Sequence, residues 1–136
     1  MPRKRHFDNN LPDEDKALDM NTWKQWAMQK ACEFAQIVLA QSPPEGSRRD
    51  NTVYTGCTGI AFMCLKMSSL MPQSAEQRDF WLERCGSYLG ALPPPDLVDQ
   101  REVRHTGPSL LCGAAGVFLV RGMYAAAAAA AAATGG

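Results

Sequence analysis

Two strings, Tyr54-Thr55-Gly56-Cys57-Thr58-Gly59 and Leu111-Cys112-Gly113-Ala114-Ala115-Gly116, constrain the fold of this chain more than any other feature. Gly56-x-x-Gly59 and Gly113-x-x-Gly116 stand 57 residues apart. Each follows an aromatic residue or a leucine and precedes a β-branched residue, Ile60 or Val117, that opens an apolar run. A duplication of this length has the size of a helical hairpin. Stacked hairpins form arrays or closed toroids in which one helix of each pair lines the inside and the other faces water.

The intervening segments agree with two such hairpins. Thr22-x-x-Gln25 reads as a capping box, and Trp23, Trp26, Ala27, Ala31, Phe34, Ile37 and Val38 follow it on one stripe. They predict an amphipathic helix ending near Gln41, with the aromatic residues in the core or a hairpin interface. Ser42-Pro43-Pro44 and Gly46 then make a loop. From Cys57 to Met71 the chain is apolar on nearly every side, which predicts a helix buried on several faces and stopped by Pro72. Ser74-x-x-Gln77 is a second capping box, opening an amphipathic helix that carries Phe80, Trp81 and Tyr88 and is closed by Pro93-Pro94-Pro95. Val117 to Tyr124 predict another all-round apolar helix. No period-two alternation competes, so the expected class is all-α. The expected organisation is a polar arm over 1–20, two helical hairpins over 21–124 and a low-complexity tail over 125–136. The nine alanines of that tail are strong helix formers with little area for docking.

Composition narrows the function classes. Apolar residues at 46% exclude a disordered chain, and 14 basic against 14 acidic residues argue against a general nucleic-acid binder. No secretory pattern follows Pro2-Arg3-Lys4-Arg5, and the window from Val117 to Ala133 is dominated by alanine, which adds little transfer free energy. The expected location is therefore the cytoplasm. Three N-terminal charges without a lipid anchor allow at most weak membrane association. Five cysteines, an odd number with no C-x-x-C pair, read as thiols packed as small hydrophobes; Cys57 and Cys112, at helix starts, are expected to be buried and inert. His105 reads as a solvated loop residue, since no second ligand lies at metal spacing. Two glycines three apart on a first helical turn remove the Cβ there and admit a second backbone; the same turn's unpartnered amides are able to take a carboxylate. Close packing is the expected use.

At these motifs the sequence resembles a family. Tyr54-Thr55-Gly56-Cys57-Thr58-Gly59-Ile60-Ala61 and Leu110-Leu111-Cys112-Gly113-Ala114-Ala115-Gly116 are similar to two successive helix starts of the LanC-like proteins, relatives of bacterial lanthionine synthetase cyclases; the second is often written F-L-C-G-D-A-G. Arg5-His6-Phe7-Asp8-Asn9 is similar to the R-x-F-x-N near the start of animal members. The resemblance implies an (α/α) toroid of about seven helical hairpins, of which this chain matches only the opening ones. It also implies a zinc held by two cysteines and a histidine, which lowers a thiol pKa so that thiolate adds to a dehydroamino acid. Glutathione is the implied thiol, Arg5 its implied contact, and the cytoplasm or the inner face of the plasma membrane the implied location. The family's zinc ligands lie in W-C-x-G and C-H-G segments, and neither string occurs here. Cys112 falls at a cysteine of the packing motif, and Ala114 stands where many members have Asp. The chain is therefore expected to hold no metal and to be catalytically inactive alone. The alternative expectation is a small helical interaction module whose open hairpin edge recruits another protein.

Overall fold

A computed structural model describes residues 19–44, 50–70, 74–94 and 109–134. Those residues form four helices and no strand: α1 (Met20–Gln41), α2 (Cys57–Leu70), α3 (Ala75–Gly90) and α4 (Ala114–Thr134). The all-α class and the order of the helices agree with the sequence.

The helix ends show which local signals operate. Ser74 caps α3 as expected, its Oγ accepting from the Gln77 amide. For α1 the cap is Asp19 rather than Thr22: the Asp19 carboxylate accepts from the amides of Asn21 and Thr22 and from the Thr22 hydroxyl. A carboxylate with several acceptor positions satisfies more first-turn donors than a hydroxyl does, so the helix starts earlier than the capping box predicts. The Thr22 hydroxyl, followed by the Asn21 and Thr22 amides, also holds the Asp19 carboxyl below its usual range.

The core lies between α2 and α3, which share the most extensive contact, and α4 packs across both. Ala61, Cys64, Leu65 and Met67 of α2 meet Trp81, Leu82, Cys85, Tyr88 and Leu89 of α3, with Ala114, Val117 and Val120 of α4 closing the cluster. The expectation that α2 is buried on several faces holds. Two polar bonds tie the layers: the Tyr88 hydroxyl donates to the Ser42 carbonyl at the end of α1, and Arg121 Nη2 donates to the Pro93 carbonyl beyond α3 at 2.8 Å.

Two expectations need correcting. The Trp23, Trp26, Phe34 and Ile37 stripe of α1 is not in the core; Trp26 is 52% and Phe34 65% exposed. This helix carries a second, smaller stripe of Cys32, Ala35 and Leu39, and it is this one that meets the core, because small side chains let the helix axes approach. Phe80 is likewise exposed, its edge against the Trp81 ring and the Arg84 guanidinium over its face. The fourth helix is half-buried rather than enclosed: Phe118 and Leu119 face outward. It runs unbroken through the alanines to Thr134, with Ala127 and Ala131 against the core. By length and composition alone Ala114–Ala133 is long and apolar enough to cross a membrane.

The glycines give the first test. A Cβ at Gly59 would overlap the Val53 carbonyl, whereas one at Gly122 would meet nothing within 4 Å. In urea denaturation Gly59→Ala is expected to lose about 2 kcal/mol or more through overpacking. Gly122→Ala, inside a helix, is expected to gain about 0.5–1 kcal/mol.

Candidate functional site

The most organised local structure is the pair of turns that lead into α2 and α4. Its first half begins at Asp50. The Asp50 carboxylate accepts from the Thr52 amide at 2.9 Å and the Thr55 hydroxyl at 2.6 Å, while its backbone carbonyl accepts from the Cys57 amide at 3.0 Å and the Cys57 thiol at 3.2 Å. Burial alone would raise the Asp50 carboxyl; the Thr55 hydroxyl and the Thr52 amide outweigh it and hold the carboxyl below its usual range. The buried Thr58 hydroxyl donates to the Asn51 carbonyl. The loop is thus folded back over the first turn of α2.

The glycines are where this folding-back requires bare Cα atoms. A Cβ at Gly56 would strike Asp50 and Thr52, and one at Gly59 would strike the Val53 carbonyl. Gly116 repeats the second case against the Leu110 carbonyl. Gly113 is buried at the start of the second turn. At Gly56, Gly59 and Gly116 the close neighbour is the backbone of the chain's own preceding loop rather than a second helix.

Three bonds of the first turn recur in the second at the 57-residue shift, while the Asp50 and Thr58 bonds have no counterpart among the described residues. Gly56 donates to the Thr52 carbonyl and Gly113 to the Ser109 carbonyl, at 3.2 and 3.0 Å. Gly59 donates to the Gly56 carbonyl and Gly116 to the Gly113 carbonyl, at 3.0 and 3.3 Å. The Thr55 amide reaches the Thr52 hydroxyl, and the Cys112 amide the Ser109 hydroxyl, at 3.2 and 3.3 Å. The two turns also touch: the Val53 and Tyr54 amides both donate to the Leu111 carbonyl at 3.0 Å.

Thr52, Ser109, Val53 and Asp50 escaped the sequence reading. For the first two a signal was present, a hydroxyl residue four before each leading glycine, whereas Asp50 has Gly107 as its counterpart and no repeat to betray it.

The thiols divide by burial. None of the five cysteines is half of a disulfide. Cys64 and Cys85 face each other's helices in the core, and desolvation pushes their thiols up to about 11 and about 12. Cys57 is buried, as expected. Cys112 is exposed, contrary to expectation; its counterpart at the 57-residue shift is Thr55, which is exposed as well, whereas Cys57 corresponds to the buried Ala114. Among the described residues no three His, Cys, Asp or Glu side chains gather as a metal would need. Arg5, the resemblance's glutathione contact, and His105 lie outside the described residues. Comparison with family models, curated proteins and solved structures finds no match.

Two outcomes follow. A thiol-specific reagent at neutral pH is expected to modify Cys112 rapidly and to reach Cys64 and Cys85 only after denaturation. Folded pKa values above the thiol's ordinary 9.0 mean that the folded state holds its protons longer than the unfolded one. Stability measured by chemical denaturation should therefore be insensitive to these thiols below about pH 9 and fall as pH rises from there towards 12.

Proposed function

We propose that this chain is a LanC-like helical-repeat segment whose own contribution is assembly. Its paired G-x-x-G turns stack one hairpin on the next, and thiol addition belongs to ligands that the chain does not carry. The observation that supports this most directly is the recurrence of three hydrogen bonds in the two turns at 57 residues. A repeat that recurs in its hydrogen bonds as well as its letters is a stacking unit, and stacking units bury their apolar faces only against neighbours.

In the resembled family the zinc site draws on W-C-x-G and C-H-G segments, and in their absence this sequence offers no comparable ligand set. Cys64 and Cys85, the thiols nearest one another in character, are held protonated in an apolar core, the opposite of what a metal or a nucleophilic role asks of a thiol. Glutathione contact through Arg5, and a cytoplasmic location reaching at most the inner face of the plasma membrane, remain part of this proposal.

The interaction-module reading is favoured by a separate observation: Leu110, Leu111, Phe118 and Leu119 are all about half exposed at the α4 end of the stack. The two readings meet in a unit that binds through its edge.

The purified chain, dialysed against zinc and assayed by elemental analysis, is expected to retain no stoichiometric metal. Incubated with glutathione and a dehydroalanine peptide, it should form no thioether adduct by mass spectrometry. Stoichiometric zinc together with adduct would overturn the assignment of chemistry to other segments.

A further inference from the structure

The contact between the two turns is directional. On the α2 side it uses the amides of Val53 and Tyr54 and the Val53 side chain; on the α4 side it uses the Leu111 carbonyl and the bare Cα of Gly116. The Val53 Cγ2 lies 2.6 Å from where a Gly116 Cβ would stand, so the glycine is the socket for that methyl. Donor face and acceptor face differ, which makes this a heterologous interface.

Among the described residues each turn uses only one of its two faces. Shifted by 57 residues, the donors Val53 and Tyr54 become Leu110 and Leu111, whose amides donate to no acceptor among the described residues and which are 53% and 52% exposed. The acceptor Leu111 becomes Tyr54, 74% exposed, whose carbonyl accepts no backbone bond among the described residues. The socket Gly116 becomes Gly59. The three atoms nearest a Cβ there all belong to Val53 of its own turn, with no incoming side chain. Phe118 and Leu119 of the helix that follows are exposed as well, whereas their counterparts Ala61 and Phe62 are buried and half-buried.

We infer that a second copy of this chain occupies the open donor face, repeating the internal contact between molecules. Leu110 and Leu111 of one copy donate to the Tyr54 carbonyl of the next, and the Leu110 side chain seats on that copy's Gly59. Among the described residues both halves of the same heterologous contact are left open, one at each turn, and a second copy supplies the complement of either, continuing the interface already inside the chain. This rests on the reading of the chain as a stacking unit.

Hydrogen exchange on the wild-type chain across a rising concentration series reads both claims separately. Val53 and Tyr54 amides are expected to be protected at every concentration, and Leu110 and Leu111 amides only as concentration rises, in step with mass by sedimentation velocity. Val53 and Tyr54 amides open at all concentrations would sink the stacking reading itself. Protection there, with Leu110 and Leu111 exchanging freely or the chain staying monomeric, would sink the second-copy inference alone. Leu110→Asp and Tyr54→Asp, both at exposed side chains, are each expected to be monomeric, while their equimolar mixture forms a one-to-one dimer that grows no further. Association of either variant like the wild type would overturn the inference, and helicity by circular dichroism confirms that each variant is folded.

Discussion

A carbonyl oxygen pressed against a glycine Cα, once at Val53 over Gly59 and again at Leu110 over Gly116, is the constraint from which the arrangement of this chain follows. Without a Cβ at those two positions the loop folds back onto the first turn of the following helix. That satisfies first-turn amides that a helix start otherwise leaves to water. Asp50 secures the first of these turns by gathering the Thr52 amide and Thr55 hydroxyl on its carboxylate and Cys57 on its carbonyl. With both turns closed, the amides of Val53 and Tyr54 are presented to the Leu111 carbonyl, and α2 and α4 come together at their N-terminal ends.

The rest of the packing is a consequence of that approach. α2 is surrounded because α3 covers one side and α4 another, which explains the deep burial of Cys64 and Cys85 and the reluctance of their thiols to ionise. The outer positions pay less attention to apolarity than to access: α1 touches the core through Cys32, Ala35 and Leu39, and its larger aromatic stripe stays outside. At the opposite end α4 turns Phe118 and Leu119 away from the core. The four helices thus leave exposed apolar residues at two ends, on α1 and on α4.

The chemistry inferred from the family likeness and the physics of this chain bear on different questions. Thiol addition depends on a metal and a lowered thiol pKa. The two core thiols are instead shifted towards the protonated form by burial, and Cys112, though accessible, is a lone thiol at an edge. The turns, by contrast, are built in detail, and two of their bonds, from the Val53 and Tyr54 amides to the Leu111 carbonyl, join one turn to the other.

Helix class, helix order and the cap at Ser74 were legible from the letters, because each depends on residues within one or two turns of one another. The cap at Asp19 was legible in kind but misplaced, since Thr22 offers the same local chemistry and only the helix itself shows which donor is left over. Which of the two apolar stripes on α1 is buried and which face of each turn stays open were decided by tertiary structure alone. Tyr54 and Leu111 hold equivalent places in turns that share three hydrogen bonds, and only the tertiary structure puts the Leu111 carbonyl beside the Tyr54 amide while no described acceptor meets the Leu111 amide.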